Sequence, residues 1–392
     1  FIQEIRTKMG LKPILEANFR KVFNTMDLNG DGTLENPFAS ISAALIWSND
    51  EDEIHVGPGT YFEHLEIPHD ISLIGAGSDS TIISGGSPSS AQASLISFAN
   101  NPTEFSGEIL IQGFTLRDNW AGSGGAIIVS GLTSNLLFQD LLITNNVVNN
   151  DGAAIWLSGL DNVNMEDVTI SGNTAWRAGG GIAVSDTELT MTDCIITNNY
   201  TNNGYQPSQQ GGAGIFVDEN SGGPETITLN NVNIDNNTIN EVSTTGLGGG
   251  IYLSDNQTLI MNGGSINGNT GLYTLGASAI YSRGGDIYLD GVTVNDNINN
   301  NTIILDEGLT FEATNSEFTG NDFGSAIRTT HGYPYSITLD YVEIYNNDSQ
   351  NSPVVYLSNT EGSIAHSRIT DNGQIGVHLK TLSNVSISQS TI

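Results

Sequence analysis

A single cysteine in 392 residues, Cys194, rules out an internal disulfide, so stacking and burial must hold the chain together. Cations are nearly as scarce, with 11 Lys+Arg against 43 Asp+Glu and a net charge of −32. Five of them (Arg6, Lys8, Lys12, Arg20, Lys21) fall in the first 21 residues beside Glu4 and Glu16, and beyond that point six basic side chains face 41 acidic ones, a balance of −35. Phosphate binding needs clustered cations, which excludes nucleic acid as a partner. An acidic, Lys-poor surface suits salt- or calcium-containing surroundings that screen its self-repulsion. No run of about 18 apolar residues occurs, so the sequence holds no candidate membrane-crossing helix. Zinc-type Cys/His spacing and phosphate-binding glycine loops are also missing.

A repeat is present instead. Ten short segments (FTLRDN, LLITNN, VTISGN, IITNN, VNIDNN, SINGN, VTVNDN, EFTGN, VEIYNN and RITDN) each close on Asn, from Asn119 to Asn372. The steps between those asparagines are 27, 27, 26, 38, 32, 28, 24, 26 and 25 residues. A period in this range means stacked supersecondary units. Each period contains three short strands with alternating apolar residues, and such alternation buries one face. The first strand places Ile127, Ile155, Ile182, Ile215, Ile251, Ile280, Ile303, Ile327, Val355 and Val377 in one inward column. The second contributes Phe138, Met165, Met191, Leu229 and their equivalents, and the third Leu116, Ile143, Ile170, Ile196 and theirs. Three inward columns describe an all-β solenoid, a right-handed parallel β-helix of about 13 coils and roughly 60 Å at about 4.8 Å per coil. Cys194 falls on an inward position of a third strand, where a buried, inert thiol is expected.

The corner residues follow from backbone sterics. Before each Asn stands Asp118, Asn145, Gly172, Asn198, Asn236, Gly268, Asp296, Gly320, Asn346 or Asp371. Gly, Asn and Asp are the residues that tolerate a left-handed conformation at least cost. The asparagines that follow can bond to one another from coil to coil, so the column is read as a structural ladder.

Two regions divide the chain. Residues 1–26 carry Ile14, Leu15, Phe19, Val22, Phe23 and Met26 at helical spacing after Pro13, which predicts a short α-helical cap on the open end of the rod. Residues 27–392 form the rod. It opens with Asp27, Asn29, Asp31 and Glu35, half of a Ca²⁺-binding loop whose twelfth position is Phe38 instead of Glu. This is a weak Ca²⁺ candidate, with a turn into the rod as the simpler reading. The last segment, SNVSISQSTI, stops at Ile392 just short of the corner that its pattern leads to, so the repeat is expected to continue. Insertions near 200–212, 219–224 and 238–247 explain the two long steps and are where binding usually resides on a rigid scaffold.

The run DGTLENPFASISAAL, then DEIHVGPGTYFEHLEI, ISLIGAG and TIISGG, resembles the opening segment of the pectate-lyase-like β-helix superfamily. The GGAI and GGGI strands with TNN and SGN corners resemble repeats of the polymorphic outer-membrane-protein type. The resemblance covers residues 27–392 and implies a fold shared by lyases, hydrolases, esterases, epimerases and adhesins without catalysis. The NTD, DD, GHG and RIK set of polygalacturonase-like relatives has no match in this chain. His55, His64 and His69 lie in the first coils without a recognisable catalytic arrangement.

One outward column is unusual. Between the inward residues of the first strand stand Ile128, Trp156, Ala183, Phe216, Tyr252, Tyr281, Ile304, Arg328, Tyr356 and His378, with Arg283, Asp306 and Lys380 in the next outward row. Large apolar groups on a face expected to meet solvent mark an interaction site. Three readings stay open. In the first, the insertion loops fold over the column and make it a secondary core. Alternatively Trp156, Phe216, Tyr252, Tyr281 and Tyr356 form a platform that binds sugar rings or a protein partner. In the third reading Tyr281, Arg283, Arg328, Tyr356 and His378 line a catalytic cleft. The missing signatures lean away from catalysis, toward a secreted or cell-surface structural or adhesive protein that binds polysaccharide or a surface protein. The alternative is a polysaccharide lyase or hydrolase acting on an acidic polymer, with Ca²⁺ as the bridge between two polyanions. Unpaired strand edges at the rod's end would also permit end-to-end or homo-oligomeric assembly.

Overall fold

The computed structural model describes residues 21–23, 37–99, 105–202, 211–218, 225–239, 247–271, 276–322, 324–330, 333–350, 352–373 and 375–392. Every strand pairing is parallel, each strand bonding to its equivalents one coil before and one coil after. Three long sheets result. Sheet A contains strands such as Ile127–Ser130, Ile215–Asp218, Ile327–Thr329 and Val377–Leu379. Sheet B contains Asp286–Asp290, Thr310–Thr314, Tyr335–Asp340 and Thr360–Ala365. Sheet C contains Thr293–Asn295, Glu317–Thr319 and Glu343–Tyr345. A fourth, narrow sheet of two-residue strands, from Trp120–Ala121 to Thr238–Ile239, follows the Asn corner.

The inward columns behave as alternation requires. Ile127, Ile155, Ile215 and Ile327 of sheet A, Phe138, Met165 and Leu339 of sheet B, and Ile143, Ile234 and Phe318 of sheet C are all fully buried in one continuous core. Cys194 is buried among them, and burial lifts its thiol to about 11, which keeps it protonated and unreactive.

The asparagine ladder runs unbroken. The Asn146 backbone N–H donates to Asn173 Oδ1 at 3.0 Å, and the same bond recurs through Asn199, Asn237, Asn269, Asn297, Asn321 and Asn347 to Asn372. Each side-chain amide also donates to a main-chain carbonyl, as Asn237 Nδ2 does to Ile196 O at 2.9 Å. All ten preceding residues adopt positive φ, between 53° and 66°.

A second left-handed column, at the B–C corner, was not anticipated. Asp140, Asp167, Asp193, Asn231, Gly263, Gly291, Asn315, Tyr341, His366 and Gln389 all have φ between 47° and 67°. This single-residue kink turns the continuous strand Asn135–Thr144 from sheet B into sheet C. Asp, Asn and Gly fill its first seven places, a signal visible in the sequence, but Tyr341 and His366 are bulky residues in a conformation that costs them strain.

The N-terminal expectation is corrected in part. Lys21–Phe23 is a strand paired with Ile54–Val56, so Val22 and Phe23 do not belong to a helix. Edge pairing along the first coil outweighs the helical spacing there. The rest of the expected cap, and Asp27, Asn29, Asp31 and Glu35, lie outside the described residues. The described helix is Ile41–Ile46, capped by Ser40 and by Glu63, which accepts from the Ile41 and Ser42 N–H groups at 3.0 and 2.9 Å.

Candidate functional site

Sheet A's outward column is in perfect register: Ile128, Trp156, Ala183, Phe216, Tyr252, Tyr281, Ile304, Arg328, Tyr356 and His378 follow one another coil by coil. Of the three readings of this column, burial matches the secondary core rather than an exposed platform. Phe216, Tyr252, Tyr281 and Tyr356 are buried, Tyr252 completely, and Trp156 is half-buried. Ala183, Phe216, Tyr252, Ala277, Tyr281 and Ile304 make a second apolar cluster outside the main core, with Trp156 and Leu247 against it. Phe216 stacks on Tyr252 at 5.3 Å, and Tyr252 on Tyr281 at 5.8 Å and 4°.

Polar groups border this stack. The Tyr281 hydroxyl donates to Asp306 Oδ2 at 2.7 Å, and Thr330 Oγ1, itself 3.0 Å from the Tyr335 hydroxyl, donates to Asp306 Oδ1. Arg283 is held by Asp255 through two bonds of 3.0 Å, which raise its guanidinium pKa further. Burial and then the Asp306 bond push the Tyr281 phenol upward, away from service as a base. The Tyr252 hydroxyl lies near the Ser254 side chain and makes no well-formed hydrogen bond among the described residues. Asp255 and Arg283 stand one repeat apart, a spacing that makes the pair findable in the sequence.

The five residues expected to share a cleft therefore separate into two groups. Tyr281 and Arg283 are tied into the buried network. Arg328, Tyr356 and His378 gather farther along, joined by Lys380. The Arg328 guanidinium carbon lies 4.9 Å from the Tyr356 ring centroid and Lys380 Nζ 5.8 Å from it, while His378 meets the ring edge-on at 5.4 Å. Arg117, Arg177, Arg283 and Arg368 each pair with an Asp, whereas Arg328 has no carboxylate partner among the described residues. Two cations and an imidazole thus converge on one aromatic ring in a strongly acidic protein.

Residues 96–287, a little under half of the chain, match the family model described as "Right handed beta helix region". The chain is a right-handed parallel β-helix. No curated protein sequence matches it. Among solved structures it is similar to the Agl-KA catalytic domain, at 16% identity over 88% of this chain with a TM-score of 0.40, but spans only 64% of that domain. It is also similar to pectate lyase Pel9A, at 14% identity over 85% of this chain and 79% of that one, TM-score 0.37. A third is the A-module of the Azotobacter vinelandii mannuronan C-5 epimerase AlgE4, at 13% identity over 90% and 91%, TM-score 0.32. These likenesses concern the fold of the β-helix alone. The likeness to polymorphic outer-membrane-protein repeats rests on sequence only.

The remaining sites of the β-helix have structural partners. His55 pairs with Glu53, His64 with the Ser94 carbonyl and His69 with Ser48, each in a separate place. Among the described residues no group of three or more His, Cys, Asp or Glu side chains gathers to hold a metal. A carboxyl missed in the sequence stands out at the A–B corner. Glu225 is 7% exposed, and burial followed by the charge of Asp186 raises it to about 7.

Proposed function

We propose that this β-helix acts on an acidic polysaccharide outside the cell or at its surface, with the Arg328–Tyr356–His378–Lys380 cluster of sheet A as the reacting site. The observation that carries the reading is the convergence of Arg328 and Lys380 on Tyr356, with no carboxylate paired to Arg328 among the described residues. A uronate carboxylate fits between such cations. At physiological salt the Debye length is about 8 Å, so the local cations outweigh the repulsion of the distant acids.

The chemistry that suits this set is β-elimination. Arg328 and Lys380 hold the carboxylate and stabilise the charge that develops on it as the C5–H bond breaks. His378 accepts that proton. The released electron pair forms the C4–C5 double bond, the C4–O bond breaks, and the departing oxygen takes a proton from solvent. A structural or adhesive role rests on the continuing repeat, the missing catalytic signatures and the acidic surface; the burial of Phe216, Tyr252, Tyr281 and Tyr356 removes only the exposed aromatic platform it could have used for binding.

The test is to incubate the chain with polygalacturonate, alginate and neutral polysaccharides, with and without Ca²⁺, and follow unsaturated and reducing ends. Unsaturated product is expected from a uronate polymer, and Arg328→Ala or His378→Ala should each lower kcat/KM at least 100-fold. Unchanged turnover in both variants removes this cluster as the site. Absence of product from every polymer refutes the enzymatic reading.

A further inference from the structure

Sheet B carries a second surface of opposite character. Strands Asp286–Asp290 and Thr310–Thr314 lie side by side, pairing Tyr288 with Glu312 and Asp290 with Thr314. The neighbours of Tyr288 in its strand, Ile287 and Leu289, are buried, so the phenol projects away from the core. At one end of this pair is a depression of about 240 Å³ lined by Asn262, Tyr288, Leu289, Asp290, Glu312 and Thr314. At the other end is one of about 430 Å³ lined in part by Asp286, Thr310, Ser336, Asn359 and Glu361. The two together follow the axis over several coils at about 4.8 Å each.

The side chains here are set in advance. Asp290 accepts from Thr314 Oγ1 at 2.7 Å and Asn315 Nδ2 at 2.8 Å, and Asp286 accepts from the Thr310 N–H at 2.7 Å. Glu312 has no such bond among the described residues, which leaves its carboxylate available beside the Tyr288 ring. No lysine or arginine lines either depression. Carboxylate and amide oxygens around a fixed aromatic ring suit sugar hydroxyls and an apolar sugar face. The same carboxylates repel a uronate.

We infer that the Tyr288–Glu312 surface of sheet B binds an uncharged hexose chain lying along the rod, as a site separate from sheet A. Tyr288 supplies the stacking ring, Glu312 accepts from a pair of hydroxyls, and Asp290 and Asn262 fix the adjoining unit. The protein then has two faces with complementary preferences, cationic on sheet A and acceptor-rich on sheet B.

The experiment is calorimetric titration of the whole chain with cellohexaose, laminarihexaose and mannohexaose, and with hexagalacturonate as the charged comparison. One neutral hexaose should bind the wild-type chain, and on the Arg328→Ala chain it should bind more tightly than hexagalacturonate. Tyr288→Ala and Glu312→Ala should each weaken that binding at least tenfold, while Arg328→Ala leaves it unchanged. Both side chains point outward, so the variants should keep the wild-type melting temperature, which separates lost binding from lost fold. Absence of binding by all three neutral hexaoses, or binding retained in both sheet B variants, overturns the inference. Because Arg328 is varied separately, failure here is distinguishable from failure of the sheet A reading.

Discussion

Replacing Asn237 with alanine removes one rung from the middle of the asparagine ladder. Its Oδ1 accepts both the backbone N–H and the side-chain Nδ2–H of Asn199 at 3.0 Å. Its own Nδ2 donates to Ile196 O at 2.9 Å and to Asn269 Oδ1 at 3.1 Å. After the change, Asn199 Nδ2 keeps Ile170 O, and Asn269 Oδ1 keeps the Asn237 N–H. The group left without a partner is the buried Asn199 N–H. A buried unpaired amide costs about 1–3 kcal/mol, and the small void adds to it, so the expected loss is about 2–4 kcal/mol. Urea unfolding followed by far-UV circular dichroism measures the loss, and hydrogen exchange at the Asn199 amide locates it, which matters because a stacked repeat can open locally. Asn237→Asp provides the second arm. It keeps the acceptor but buries a charge against two oxygens, so its folded-state pKa rises above the unfolded value. Its stability is then present at low pH and lost as pH rises through that value. A loss below about 0.5 kcal/mol in Asn237→Ala, or a pH-independent Asn237→Asp, would refute the claim that the ladder carries stability.

Two further outcomes follow from polar groups outside the ladder. Glu225 has a folded-state pKa of about 7, raised by burial and by Asp186, so its contribution favours the fold below the unfolded carboxyl range and fades as pH climbs through 7. Glu225→Gln should therefore gain melting temperature on the wild type at pH 8 and little at pH 5, and an equal difference at both pH values would contradict this. The buried Tyr252 hydroxyl has only Ser254 near it among the described residues, and not in good hydrogen-bond geometry, so Tyr252→Phe should change stability by no more than about 1 kcal/mol in urea unfolding. Destabilisation by more than that would mean the hydroxyl is bonded in solution.

The sequence made the solenoid legible because every column repeats a physical requirement: apolar inward, left-handed at Asp118 and its equivalents, Asn after them. Local sterics and burial decide those positions coil by coil, with little help from distant residues. The outward column of sheet A was legible as a column, and of the three readings open for it the structure matches the secondary core; alternation alone says which way Tyr252 points and not what lies over it. The B–C corner was overlooked because Asp140 and Asp167 sit within continuous alternating strands, where one extra kinked residue leaves the apolar pattern nearly intact. Val22 and Phe23 fit a helix by spacing, yet pairing with His55 and Val56 decides their conformation. Arg283 reads as available only until the one-repeat spacing to Asp255 is used, which sets the two side chains on neighbouring coils. The Arg328–Tyr356–His378 grouping was foreseen, because those residues occupy one register position in successive coils.

The ladder also has a direction. Each ladder asparagine from Asn119 to Asn347 hands its N–H to the next coil's oxygen and none hands one back. Asn119 Oδ1 is buried without a donor among the described residues, and Gly85 sits against it where any side chain would collide. At the other end, the Asn372 amide has passed one hydrogen to Ile344 O. The side-chain amides are therefore aligned along the rod like a row of small magnets, each polarising its neighbour. Between those ends each asparagine accepts from the coil before it and donates to the coil after it, so this row of amides has a head and a tail.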